Sequence, residues 1–436
     1  MSASYFTRWH MEGMQSNQGL DKLPIERLEF GMFVTKLDRP WLETSFAIQG
    51  FYLRDKRTLK RLVTECTFVY VDPLRYKSQY AMPKLRVVVA NDSPRAARNN
   101  LSKTRLRHIT PDAPKVYEDQ VETNDELVPA RTSIDDAVAI LEPIIKKIRT
   151  AGCLEISQIE AAVTPLVESV LRNKDAVAAL LRIRSLDDYT YSHCISNAVW
   201  AAILGRHLGY TVKQINKLAM GCALLDVGKV CIPQELLIKP GPPTETEWEI
   251  IREHVAAGLV ILDASSVTDR DLVTMVAMHH ERYDGSGYPN NLEGPSIPAY
   301  GQIAGIIDTY DAMITERPYA AALSSYDAVN KLHRSADVLF QKELVEQLTQ
   351  AIGVFPTGTV VELNTGEVGI VTAQNADRRL RPKITLMLTE TKEPRVQPII
   401  TDLKDLDTDH NKAPTVWITK ELPQGAYGID AAQIIG

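Results

Sequence analysis

Thiolate chemistry is the first thing this chain lacks. Its five cysteines, Cys66, Cys153, Cys194, Cys222 and Cys231, are scattered, odd in number and without a CxxC pair, which argues against a disulfide framework and a thiolate metal site. They read as reduced, mostly structural thiols. Long apolar runs are also missing. Nowhere does the sequence approach about 18 uninterrupted apolar residues, and the opening MSASYFTRWHMEGMQ has no continuous hydrophobic segment. The expectation is a cytoplasmic protein with no membrane contact. Nor is there an excess of positive charge: Lys plus Arg number 49 against 55 Asp plus Glu, a net charge of -6. That offers no global attraction to a nucleic-acid polymer or an anionic membrane, so any phosphate-bearing ligand has to be held locally. No internal repeat with a period of about 20 to 50 residues is evident.

What is present divides into segments. At 436 residues the chain exceeds the usual single-domain range, and two or three domains are expected. Residues up to about Gly19 are polar and irregular. From there, LPIERLEFGMFVTKLDRPW, FAIQGFYL and CTFVYVDP show short aromatic and β-branched runs broken by Gly, Pro and Asp. These predict strands, with a helix between the last two carrying Leu59 and Leu62, hence a small α+β domain over 20–76. Residues 77–130, rich in Pro, Arg, Asn and Asp, read as a partly disordered linker.

From 131 to 353 the pattern is helical almost throughout. Ile134, Val138, Leu141, Ile144, Ile145 and Ile148 recur at helical spacing behind Thr132 and Ser133, which suit N-caps. Thr244 with Glu247 makes a capping-box signature ahead of Trp248, Ile251, Val255 and Leu259. Pro298 suits a helix start and Gly353 a C-cap. Beyond Gly353 the period switches to that of strands in GTVVELNTGEVGIVTAQ and ITLMLTE, predicting a β-rich extension over 354–436. The expected fold is mainly α: a central all-helical bundle, a small α+β N-terminal domain and a short β-rich C-terminal extension.

Candidate ligands fall in the helical segment in the order His193, Asp226, His254, His279 with His280, and Asp308, each on or at the end of a different predicted helix. His193 precedes the apolar stripe Ile195, Val199, Ala202, Ile203 and can point inward. Asp226 ends the run LAMGCALLDVGK, where a buried carboxylate is costly unless paired or metal-bound. A salt bridge to Lys229 is the ordinary alternative. Adjacent histidines diverge by about 100° on a helix, so His279 and His280 can both serve as ligands only at a helix end. Imidazole and carboxylate without thiolate favour Fe, Mn or borderline Zn. Two metals ~3.5 to 4 Å apart, bridged by a carboxylate and a hydroxide, are a standard device for phosphoester cleavage.

The motifs YTYSH, LLDVGK, IREHVAAG, HHERYDGSGYP, IIDTYDA and ERPYA, in this order, resemble the HD-GYP family, a branch of the HD metal-dependent phosphohydrolases that hydrolyse cyclic di-GMP. The likeness spans roughly Thr132 to Gly353. GMFVTKLDRPW, GFYL and CTFVYVD also resemble the small domain that often precedes HD-GYP. The resemblance implies hydrolysis of cyclic di-GMP to pGpG or GMP, with two divalent metals, Fe or Mn. It implies Asp226 as the bridging carboxylate, His193 and Asp308 on one metal, and His254, His279 and His280 on the other. Lys229 would contact the scissile phosphate. Tyr288 and Arg317 would hold the guanine-phosphate portion, while Gly285, Gly287 and Pro289 fix the loop that presents Tyr288. A GGDEF-domain cyclase, which family members contact through the GYP region, and a second copy of the chain are the partners it suggests.

Three positions depart from the family pattern. Leu225 stands where the name-giving histidine of the HD pair belongs. Leucine has no lone pair, so the first metal keeps only His193, Asp226 and Asp308 and binds weakly or not at all. Ala320 replaces the usual Arg or Lys after RPY, and Tyr189 stands where some members carry a glutamate for a third metal. Two readings follow from Leu225: a phosphodiesterase with one weakened metal, or a retired site that serves as a cyclic di-GMP receptor or adaptor.

Overall fold

The structure, a computed structural model, describes residues 20–39, 51–53, 56–72, 109, 111, 113–183, 189–317, 321–375, 378, 380–406, 416–429 and 431. Most of the expected linker, 77–130, lies outside the described residues. The rest forms two compact units. The fold is mainly α. Among the described residues no helix is long and apolar enough to cross a membrane.

In the N-terminal unit the strands β1 (Asp21–Pro24), β2 (Phe33–Leu37), β3 (Phe51–Tyr52) and β4 (Phe68–Asp72) make an antiparallel sheet in the order β1-β4-β2-β3. Helix α1 (Lys56–Glu65) contributes Leu62 to the core beside Ile25, Val34, Leu37, Leu53, Val69 and Val71. Alternating buried positions on β4 supply two of these, as period-two patterning requires. Asp38 closes one corner, accepting from the Thr67 amide at 2.6 Å and its hydroxyl at 2.7 Å.

The second unit opens with α2 (Thr123–Ala151), which begins nine residues before Thr132. Thr132 and Ser133 are therefore not N-caps. Their hydroxyls bond back to the carbonyls of Val128 and Pro129, at 3.1 and 3.0 Å, from inside the helix. Ser and Thr use this local bond mid-helix as readily as they cap, and sequence spacing does not distinguish the two. The first turns of α2 are held by buried Glu126, which accepts from Ser169 and twice from the Arg172 guanidinium at 2.6 to 2.8 Å. A buried carboxylate is tolerated only with such charge-assisted partners.

The bundle continues through α3 (Ile156–Arg172), α4 (Lys174–Ile183), α5 (Tyr189–Leu208), α6 (Val212–Ala223), α7 (Gln234–Leu237), α8 (Glu245–Arg252), α9 (His254–Ala264), α10 (Arg270–Met278), α11 (Ala299–Ile314), α12 (Ser325–Arg334) and α13 (Lys342–Ile352). The Thr244–Glu247 capping box is present at the start of α8. The helix it opens stops at Arg252, and His254 begins a new one. Gly353 ends α13 at φ 81°. A five-stranded antiparallel sheet follows, in the order β8-β7-β6-β5-β9, from β5 (Val360–Leu363), β6 (Val368–Ala373), β7 (Lys383–Leu388), β8 (Pro394–Asp402) and β9 (Ile418–Leu422). Its Val360, Val368, Ile370 and Leu388 share one core with the helices. Arg182 of α4 ties Glu421 of β9 at 2.6 Å, both largely buried.

One core histidine gives the bundle an acid limit. His333, bonded to the Thr349 hydroxyl at 3.0 Å, has its pKa lowered from 6.5 to about 4, by burial first and then by Lys342. The unfolded chain therefore takes up this proton before the folded one does. Stability from neutral His333 is complete above pH 6.5 and falls as the pH drops toward about 4. Thermal midpoints across that window should fall more steeply for the wild type than for His333→Gln. Parallel curves would remove His333 as the cause.

Candidate metal centre

Helix α6 is set by a capping box, with Thr211 and Gln214 satisfying each other's amides, and it drives its apolar face into the core. It ends at Leu224, and Asp226 leads into a short 3-10 turn, Val227–Cys231. Gly228 in that turn lies directly on α9. A Cβ there would come within 1.9 Å of the His254 carbonyl oxygen and 2.4 Å of the Gly258 nitrogen. Only glycine allows the Asp226 turn to approach the His254 helix so closely.

Three imidazoles converge on one face of Asp226. His254 Nε2 stands 3.4 Å from His279 Nε2 and 3.2 Å from His280 Nε2. The other ring nitrogens of His254 and His279 face carbonyls, those of Ile251 at 2.7 Å and Val276 at 2.9 Å. Nδ1 is therefore the donor in both rings, and each Nε2 turns a lone pair inward. Asp226 Oδ1 faces these two lone pairs at 3.5 and 3.9 Å, buried and, among the described residues, without a hydrogen-bond partner. His279 and His280 follow the last residue of α10, Met278, so the adjacent pair does sit at a helix end.

Burial lowers the pKa of all three imidazoles, that of His279 to about 4 and that of His280 well below the usual value. Burial acts in the opposite direction on Asp226, but Lys229, His193 and His254 outweigh it and hold the carboxyl well below its ordinary range. Neutral imidazole nitrogens beside an ionised, unpartnered carboxylate oxygen form a donor set that a divalent cation satisfies.

The other oxygen of Asp226 faces the second half of the site. His193 Nε2 lies 3.3 Å from Asp226 Oδ2 and 3.0 Å from Asp308 Oδ1, and Lys229 Nζ donates to Asp226 Oδ2 at 2.5 Å. The Asp226–Lys229 pairing thus exists together with the histidine cluster. Two groups result, each with ligand atoms within 4.8 Å of one another: Asp226, His254, His279 and His280, and His193, Asp226 and Asp308. Leu225 is fully buried among the apolar core residues and supplies no ligand.

The motif reading missed Asp311. It accepts from His193 Nδ1 at 2.6 Å and from the Trp200 indole at 3.1 Å, the arrangement that orients a ligating imidazole from behind. Its signal was the spacing in IIDTYDA, which puts Asp311 one turn from Asp308 on α11. Glu281 was missed as well. Buried, it accepts the Asn290 and Leu292 amides at 2.8 Å each and so ties down the Gly-Tyr-Pro turn.

In that turn Gly285 adopts φ 77°, and a Cβ on Gly287 would lie 2.3 Å from the Arg282 nitrogen. The Tyr288 amide donates to the His280 carbonyl at 3.1 Å, and its ring stacks on the His280 imidazole, centroids 4.5 Å apart and 24° from parallel. Pro289 is exposed. Arg317 is half-buried three residues beyond the end of α11. Ala320 and the side chain of Tyr189 lie outside the described residues.

Comparison with known families matches residues 173–344 to an HD domain, 20–159 to a domain of unknown function (DUF3391), and 360–420 to a KOW domain associated with HD domain. The cyclic di-GMP phosphodiesterase PA4108 of Pseudomonas aeruginosa is 26% identical over 388 residues, which cover 88% of this chain and 89% of that protein. The cyclic di-GMP phosphodiesterase response regulator RpfG of Xanthomonas campestris is 35% identical over 141 residues, 32% of this chain and 37% of that protein. The 3'3'-cGAMP-specific phosphodiesterase 2 of Vibrio cholerae is 37% identical over 131 residues, 30% of this chain and 25% of that protein. The chain spans most of the first relative and well under half of the other two. All six ligand candidates and the Gly-Tyr-Pro turn fall inside the residues that match the HD domain.

Proposed function

We propose that the chain is a metal-dependent phosphodiesterase that hydrolyses cyclic di-GMP to pGpG or GMP. The observation that carries this is the convergence of three imidazoles on the unpartnered Asp226 Oδ1, with the Lys229 ammonium on the opposite oxygen. Divalent ions held by such a donor set, Fe or Mn, supply Lewis-acid polarisation of a phosphoryl group and activation of water. Asp226 joins the two ligand groups, and Asp311 keeps His193 oriented toward Asp226 and Asp308. Lys229, whose ammonium pairs with Asp226 Oδ2, contacts the scissile phosphate. Tyr288 in its Gly285–Gly287–Pro289 turn and Arg317 hold the guanine-phosphate portion.

A second reading rests on Leu225, which is fully buried and stands where the resemblance calls for the histidine of the HD pair. On that reading the domain binds cyclic di-GMP or a partner protein with little or no turnover. Protein reconstituted with Fe(II) or Mn(II), with metal counted and cyclic di-GMP followed, separates the two. Metal with pGpG or GMP formed sinks the receptor reading, and binding without product sinks the enzyme. Leu225→His should raise both metal content and turnover; no gain in either would show that the missing imidazole is not limiting. A GGDEF-domain cyclase and a second copy of the chain are the proposed partners, tested by co-purification and by mass in solution.

A further inference from the structure

We infer that Arg252 is a substrate-binding residue that holds the phosphate of cyclic di-GMP that is not being cut, an assignment resting on the phosphodiesterase reading. Arg252 is the last residue of α8, two before the ligand candidate His254, and is exposed. Its guanidinium lies over the Tyr288 ring, 5.2 Å from the centroid, while the same ring stacks on His280. Among the described residues no carboxylate pairs with Arg252, whereas Lys229 is engaged by Asp226 and Arg282 donates to the His279 and Glu281 carbonyls.

Three consequences follow. A ring with an imidazole stacked on it and a guanidinium over it contacts substrate through its edge rather than by stacking a base. Resting on Tyr288 restricts the Arg252 side chain and pre-organises its planar fork, which suits bidentate contact with phosphate. A cyclic dinucleotide carries two phosphates, and when one occupies the metal groups the other needs a charge outside them. Arg252 is an exposed cation beside them that no carboxylate pairs among the described residues.

The test compares wild-type protein with Arg252→Gln and Arg252→Lys on two diesters. Cyclic di-GMP has the second phosphate; bis(p-nitrophenyl) phosphate does not. Loss of one charge-assisted contact should raise KM for cyclic di-GMP roughly tenfold in Arg252→Gln, with Arg252→Lys between. Turnover of bis(p-nitrophenyl) phosphate and metal content should stay at wild-type levels. The KM of the wild type should also rise with salt more than that of Arg252→Gln. An unchanged KM for cyclic di-GMP, or an equal loss on both diesters, overturns the assignment. If the wild type binds cyclic di-GMP without cleaving it, the phosphodiesterase reading falls and the same comparison of Kd decides Arg252. If it neither binds nor cleaves, both fall.

Discussion

Asp226→Asn is expected to empty the metal centre while leaving the fold standing. Asp226 is the residue common to both ligand groups, with one oxygen toward His254 and His279 and the other toward His193 and Lys229. An amide keeps the volume but loses the charge that offsets a divalent ion among neutral imidazoles. If bound metal supplies several kcal/mol of transition-state stabilisation, turnover should fall roughly 10³-fold or more. The amide oxygen of Asn can still accept from Lys229 as Asp226 Oδ2 does, and Oδ1 has no hydrogen-bond partner among the described residues to lose. Metal content and cyclic di-GMP turnover should collapse together while the circular dichroism spectrum stays that of the wild type. Retention of metal at the wild-type level, with turnover within tenfold, would remove Asp226 from the centre.

Gly228→Ala should damage the same centre by steric means. The new methyl would sit 1.9 Å from the His254 carbonyl oxygen and 2.4 Å from the Gly258 nitrogen, both backbone atoms, so no side-chain rotation relieves the clash. The Asp226 turn and α9 have to separate. Overpacking of this kind costs about 3 kcal/mol at the upper end of its usual range, roughly 4 °C in Tm for a unit of this size. Asp226 and His254 move apart in the process, so metal is lost along with stability. Differential scanning calorimetry with metal counting checks both, and a variant that keeps its Tm and its metal would refute the close approach.

The clustering of the candidate ligands was legible because it is carried by local motifs, each placing one donor at a helix end or on an inward face. His279 and His280 beyond Met278 illustrate this: the divergence of adjacent side chains requires a helix end, and the structure has one. The position of Asp311 one turn from Asp308 could be read, but what Asp311 and Glu281 hold could not. Their partners, His193 and the amides of Asn290 and Leu292, are fixed by tertiary packing or loop closure that no periodicity encodes. The start of α2 was misread for a related reason. Thr132 and Ser133 bond back along a helix whose first turns depend on Arg172, 46 residues from Glu126. The break between α8 and α9 fell inside an unbroken apolar pattern, and it is the His254 ring bonded to the Ile251 carbonyl that occupies it. Strand β9 escaped because a five-residue edge strand, pairing back to β5 across more than 50 residues, leaves little local trace.

The shared core of helices and C-terminal sheet bears on how the chain is made. Val360, Val368, Ile370, Leu388 and Ile429 belong to the same buried cluster as Trp200 and Tyr310, and Arg182 waits for Glu421. During synthesis every candidate ligand up to Asp308 leaves the ribosome more than 100 residues before Glu421 does. The apolar core that the helices share with the sheet is therefore complete only after the last strand has been made.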